Sequence, residues 1–168
     1  MNEKVDFFSN TCREADRTDS LIGICDDQTN TKAYTDTTDS NKWIAVIKNE
    51  NNITVSFTPI DHCIVVFKQG SQDKESTCDG MITFTESLFL VELKIQGTGG
   101  WRAKALTQLE NTVKILAHHH DLSGIKYKKV FASNKKHPTF QVIDNEQNKR
   151  FFKNYGFRID VQAEIVIK

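Results

Sequence analysis

The sequence predicts an α/β protein: a mixed central β-sheet flanked by helices, with a β-rich extension on its N-terminal side. Three observations lead there. Short runs of β-branched and aromatic residues, bounded by Asn, Asp, Gly and Ser, recur between Leu21 and Lys94. From Trp101 to His119, the residues Leu106, Leu109, Val113 and Leu116 recur at steps of three and four, one stripe of an α-helix. From Phe157 to Ile167 apolar and polar residues alternate, the pattern of a half-buried closing strand.

The chain has 168 residues, enough for one domain with a substantial core. Residues 1–62 form the expected extension and 63–168 the core. Charged residues are 26% and hydrophobic ones 38%, which argues against disordered and fibrous classes. No apolar run approaches a membrane span, and the polar, acidic start is unlike a signal peptide, so a cytoplasmic protein is expected. Cys12, Cys25, Cys63 and Cys78 make no Cys-x-x-Cys pair, and four reduced thiols are expected rather than a zinc site or a disulfide frame. Net charge is zero, yet residues 1–62 hold 6 Lys/Arg against 11 Asp/Glu, and residues 63–168 hold 16 against 11. The basic half is the one suited to a phosphate-bearing partner.

In order along the chain, Val5, Phe7 and Phe8 form an apolar patch able to dock on the body. Leu21–Cys25 and Lys32–Thr35 read as short strands. Trp43–Lys48 and Ile53–Phe57 read as a hairpin, because the spacer Asn49-Glu50-Asn51-Asn52 tolerates left-handed backbone. Ile60–Phe67 is β-branched and apolar and reads as a further strand, followed by a polar loop to Thr77. Lys129–Ser133 reads as a strand, and Asn134–Pro138 as a compact basic turn whose Lys135 and Lys136 could meet backbone phosphates. Asn145–Tyr155 reads as a helix stopped by Gly156, with Phe151, Phe152 and Tyr155 inward. His118, His119 and His120 cannot all face one metal from a helix, since neighbours point about 100° apart, so a role in capping that helix is expected.

The stretch that bears on function runs from Cys78 to Thr112. Asp79 opens one strand, Thr85-Glu86-Ser87 turns it, and Leu88–Lys94 returns. Side chains two apart on a strand share a face, so Glu92 and Lys94 point the same way. An antiparallel hairpin sets Asp79 across from them. Glu-x-Lys is common on solvent-facing sheets, but here Phe89, Val91 and Leu93 fill one face, and Leu88 and Leu90 fill the face Glu92 shares. A strand buried on both faces carries an acid and a lysine only where something compensates them. Two converging carboxylates repel unless a cation lies between them, and a hard divalent ion with oxygen ligands, Mg²⁺ or Mn²⁺, meets that need. The glycine cluster Gly97, Gly99 and Gly100 that follows matches neither a Walker loop nor a dinucleotide fingerprint and reads as a strand-to-helix connection.

Asp79 followed by Glu92-Leu93-Lys94 after a hairpin resembles the PD-(D/E)XK nuclease superfamily, which includes restriction endonucleases and Holliday-junction resolvases. The resemblance covers roughly the second half of the chain. It implies a restriction-endonuclease-like sheet, with Asp79 and Glu92 holding the metal, the carbonyl between Glu92 and Lys94 adding a ligand, and Lys94 assisting the attacking water. In members with a Gln-x-x-x-Tyr helix, the Gln position is Gln108 here, with Thr112 in place of the Tyr. Cys78 stands where the family has Pro. Relatives also carry an acid from an N-terminal helix; Asp61 and Glu50 are the candidates, and neither lies on a convincing helix. The function implied is hydrolysis of phosphodiester bonds in DNA, with RNA left open, in bacterial DNA processing or defence. A homodimer, or a protein partner on the acidic N-terminal part, would help so small a nuclease engage duplex. The alternatives are a catalytically inactive relative used as a binding module, and a small α+β protein without a site. The last expects Asp79, Glu92 and Lys94 out of reach of one another.

Overall fold

The strand-forming runs assort into two sheets because their apolar residues face two different layers. A computed structural model describes residues 4–168. The elements are β1 (Leu21–Cys25), β2 (Tyr34–Asp36), β3 (Ala45–Lys48), β4 (Ser56–Pro59), β5 (Gly80–Phe84), β6 (Ser87–Lys94), α1 (Trp101–His119), β7 (Tyr127–Asn134), α2 (Asn145–Tyr155), β8 (Arg158–Val161) and β9 (Glu164–Val166). The larger sheet runs β4-β5-β6-β7-β8 and the smaller β2-β1-β3-β9. In the larger, the β4–β5 and β5–β6 pairs are antiparallel, whereas β6–β7 and β7–β8 are parallel. Parallel neighbours need a crossover, and α1 and α2 supply the two.

β6 shows why the sheet is sandwiched. Leu88 and Leu90 pack with Leu109 and Val113 of α1, while Phe89, Val91 and Leu93 pack with Ile22, Ile24 and Ile47 of the smaller sheet. The result is three layers: helices, five strands, four strands. Burial on both faces accounts for the unbroken apolar run that the sequence shows.

The expected mixed α/β architecture is present, and both helices lie within the ranges their periodicity predicts. Several local expectations are overturned. Trp43–Lys48 and Ile53–Phe57 are not a hairpin: β3 is flanked by β1 and β9, while β4 pairs with β5 in the other sheet. The turn between them carries the chain from sheet to sheet. Asn49, fully buried, closes it by donating from Nδ2 to the carbonyls of Asp19 (3.1 Å) and Ile53 (2.8 Å). Ile60–Phe67 is not a strand. Residues 61–64 form a turn in which the Cys63 and Ile64 amides donate to the Ile60 carbonyl, at 3.0 and 2.8 Å. The closing strand is two strands, β8 in the larger sheet and β9 in the smaller, with the break at Gln162-Ala163. The short strand expected at Lys32–Thr35 is displaced to Tyr34–Asp36. Phe152 faces outward, its ring 4.4 Å from the Arg158 guanidinium.

The N-terminal patch docks as expected, with Phe7 fully buried in the helix-side core. The partners that hold it were not foreseen. The Val5 and Phe7 amides donate to His119 Nδ1 and His120 Nε2, both at 3.0 Å. His118 and His119 lie in the last turn of α1 and His120 is its C-cap, as expected; the His119 and His120 rings in addition act as acceptors for the N-terminal segment. Among the described residues no helix is long and apolar enough to cross a membrane.

The cysteines correct a further expectation. Cys12 and Cys63 form a disulfide with Cα atoms 6.0 Å apart, and only Cys25 and Cys78 are free, both buried. No local spacing marks the pair, because 51 residues separate them. Closing a loop of that length restricts the unfolded chain by about 4 kcal/mol. Replacing Cys12 and Cys63 together by Ser should lower unfolding free energy by about that amount in urea; an unchanged midpoint would show that the crosslink contributes nothing.

Candidate active site

Hairpin register places the two acids. Gly80 lies opposite Val91, so the next pair outward is Asp79 and Glu92. Directly opposed residues of an antiparallel pair share a face, with Cβ atoms about 4.5–5.5 Å apart. The Leu93 amide donates to Asp79 Oδ2 at 2.7 Å, fixing that carboxyl. Gly80 admits no side chain, since a Cβ there would come within 2.4 Å of the Phe57 ring. Asp79 is 8% exposed and Glu92 3%.

Lys94, two residues beyond Glu92, folds back over the pair. Its Nζ lies 3.1 Å from Glu92 Oε2 and donates to Gln108 Oε1 at 3.0 Å. Gln108 sits on α1 at the edge of the buried stripe, where it meets Lys94 rather than Glu92. The four residues expected from the sequence, Asp79, Glu92, Lys94 and Gln108, therefore line one cleft of about 190 Å³. The expectation that goes with a siteless protein, of these groups on separate surfaces, is overturned.

The electrostatics are those of a charge conflict. Among the described residues Glu92 Oε1 is the buried side-chain polar atom without a hydrogen-bond partner. Burial first, and then the Asp79 carboxylate, push the Glu92 carboxyl well above its usual range, and Lys94 only partly opposes them. Burial also raises Asp79, to about 6, against the lowering effect of the Leu93 amide. As two carboxylates the acids have no donor between them, so the pair retains a proton to higher pH than free carboxyls do.

Thr112, the departure from the family's Tyr, has a structural use. Its hydroxyl donates to the Gln108 carbonyl at 2.8 Å and accepts from the Cys78 amide at 2.7 Å. One side chain thus joins the helix that carries Gln108 to the strand that carries Asp79. Cys78 is fully buried, and burial raises its thiol well above the ordinary range, which marks it as packing rather than as a nucleophile.

Two loops wall the cleft on the side away from α1. Asp26, Gln28, Asn30 and Thr31 come from the β1–β2 connection, and Asp61 and His62 from the turn after β4. Sequence reasoning read the first as a plain turn and the second as part of a strand; only Asp61 was singled out. His62 Nε2 lies 3.3 Å from Asp61 Oδ2. Glu50, the other candidate acid, does not line the cleft; it lies in the turn between β3 and β4. Lys135 and Lys136 follow β7 beside the end of β6, the Lys135 amide donating to the Lys94 carbonyl at 2.9 Å. Neither lines the cleft: Lys135 Nζ donates to the Asn41 carbonyl, and Lys136 is exposed beside Gly97. A larger groove of about 510 Å³ begins at Gln108 and follows α1 toward α2, with Lys68, Lys114 and Arg150 on its walls beside Glu75 and Glu110.

Comparison of this chain with protein-family models, with curated proteins and with solved structures finds no match.

The buried acids have a stability signature. Their folded-state pKa values lie above the unfolded ones, so the native state binds the extra proton, and stability falls as pH rises from the unfolded value near 4, through about 6 for Asp79 and onward for Glu92, whose carboxyl is held well above its usual range. Glu92→Gln removes the conflict and supplies an amide donor beside Asp79. In chelator at pH 8 the variant should melt higher than the wild type by several degrees, a gain of about 1–3 kcal/mol, and the difference should shrink below pH 5. A lower melting temperature at pH 8 would show that Glu92 is compensated within the fold.

Proposed function

We propose that this chain is a metal-dependent nuclease with a restriction-endonuclease-like core, hydrolysing phosphodiester bonds of DNA. The observation that carries the reading is the buried, unpartnered Glu92 Oε1 beside a second buried carboxyl, a conflict that a divalent cation resolves.

The donor set fits a hard ion of small protein coordination. Among the described residues no three His, Cys, Asp or Glu side chains gather as a metal site. Mg²⁺ usually keeps several waters and takes one or two carboxylates together with substrate phosphate, a demand that two acids meet. Asp79 and Glu92 would hold it. When bound, such an ion supplies Lewis-acid polarisation of the phosphate and a more acidic water. Lys94 keeps its ammonium at the cleft, between Glu92 and Gln108, where it can hold the attacking water or offset charge on the phosphate oxygens. Gln108 holds that ammonium in place. Thr112 holds Gln108 and Asp79 in a common frame.

Charge around the cleft favours one approach for a polyanion. Asp26 and Asp61 line the loop side, whereas Lys68, Lys114 and Arg150 line the groove that continues past Gln108. A strand following α1 meets Lys68, Lys114 and Arg150, the last two paired with Glu110, on its way to Asp79 and Glu92.

Plasmid and single-stranded DNA incubated with Mg²⁺ or Mn²⁺ test the reading directly. Cleavage should require the ion, stop on chelation, and fall by at least about 100-fold in Glu92→Gln and in Lys94→Ala. If wild-type protein cuts no nucleic acid with either ion, the nuclease reading is lost. Carboxylate-dependent Mn²⁺ binding without cleavage would instead return the inactive binding module.

A calorimetric prediction follows from the raised carboxyls. Mn²⁺ must displace the proton they retain, so its apparent affinity should rise with pH through about 6, where Asp79 titrates, and heats in buffers of different ionisation enthalpy should report proton release. Affinity flat from pH 5 to 8 would place the ion elsewhere.

A further inference from the structure

We propose that His62 is the general acid of this site, giving its proton to the nucleoside oxygen that leaves phosphorus; the inference rests on the nuclease reading. Four observations assign the role. His62 lines the same cleft as Asp79, Glu92 and Lys94. Asp61 Oδ2 lies 3.3 Å from its Nε2, so a carboxylate orients the ring. Its side chain is 40% exposed, which leaves it open to reprotonation by solvent.

The fourth observation concerns how the residue is held. His62 adopts φ 64°, a left-handed conformation uncommon in a residue with a Cβ. The turn that imposes it is tied to the segment that carries Asp79: the Ile60 amide donates to the Asp79 carbonyl at 2.9 Å and the Asp61 amide to the Cys78 carbonyl at 3.2 Å. On the other side, Cys63 is joined to Cys12. Two backbone bonds and a covalent crosslink thus fix the turn that carries His62 at the rim of the cleft, in a backbone conformation uncommon for a residue with a Cβ.

The step balances. The oxygen of water forms a bond to phosphorus, and the ester P–O bond opposite breaks. The water's proton passes to solvent. His62 imidazolium protonates the departing oxygen, and the neutral imidazole takes a proton back from solvent. Asp26, Asp61, Asp79, Glu92 and Lys94 are the other ionisable groups lining the cleft, so a pH profile alone would not isolate His62. Dependence on the leaving group does.

The test compares two substrates with Mn²⁺: a DNA oligonucleotide, whose alkoxide must be protonated to leave, and thymidine 5′-(p-nitrophenyl phosphate), whose phenolate leaves unprotonated. His62→Asn is the variant of choice because Asn tolerates left-handed backbone and does not titrate. If it melts well below the wild type, His62→Gln replaces it. The variant should lose about 100-fold more rate on the oligonucleotide than on the aryl ester. Equal losses on both, or no loss on either, would overturn the assignment while wild-type cleavage leaves the nuclease reading intact. Wild-type protein inert toward both substrates would overturn that reading and this one together.

Discussion

Two carboxyls face each other across the last rung of a hairpin, in a place water barely reaches. That contact is the constraint from which the rest of the site follows. Burying an unpaired carboxylate costs several kcal/mol, and the fold offers one ammonium and one backbone amide against two acids. A domain selected for stability alone would have apolar residues there, as it does at the neighbouring Leu88 and Leu90. Keeping the acids is intelligible where a cation or a proton is exchanged between them. The bonds around the pair hold it against relaxation: Leu93 to Asp79, Thr112 between α1 and Cys78, Lys94 to Gln108.

The sandwich serves this arrangement. β6 is central in its sheet and covered on both sides, so its backbone has little freedom, and the residues at its end inherit that rigidity. The helices cover one face. The smaller sheet covers the other, and its β1–β2 connection extends far enough to wall the cleft. The N-terminal part is not an independent lobe in its packing. β4 from before residue 62 enters the larger sheet, and β9 from near the other end of the chain enters the smaller one. The disulfide adds a third tie, from Cys12 to the turn that carries Asp61 and His62. The cleft is therefore assembled by segments from both halves of the chain.

Charge is distributed by the same logic. The first 62 residues are acidic and the remainder basic; around the cleft, Asp26 and Asp61 make an acidic loop side, and the helix-side groove sets Lys68, Lys114 and Arg150 beside Glu75 and Glu110. Net charge near zero conceals this difference. For a polyanionic substrate the local field around the cleft governs approach, which is why an overall neutral chain is compatible with a nucleic acid partner.

Much of this was readable without coordinates, wherever the deciding interaction is local. The Asp79–Lys94 hairpin is set by the turn residues Thr85-Glu86-Ser87 and by β-branched runs, α1 by its stripe, and α2 by a helical pattern ending in Gly156. Because side chains alternate strictly along a strand, the meeting of Asp79, Glu92 and Lys94 could be deduced from register, whereas Gln108 was singled out only by the family resemblance. What tertiary structure alone decided are contacts between distant segments. β3 and β4 look like a hairpin locally, but the partners that claim their edges lie far along the chain. Ile60–Phe67 has strand composition, yet residues 61–64 form a turn held by the Cys78–Asp79 backbone and a crosslink to Cys12, and His62 on that turn lines the cleft. Local propensity determines which segments can be strands or helices; which edges pair, which cysteines meet and which loops wall the cleft are settled by burial of apolar area across the whole chain, a quantity no short window of sequence contains.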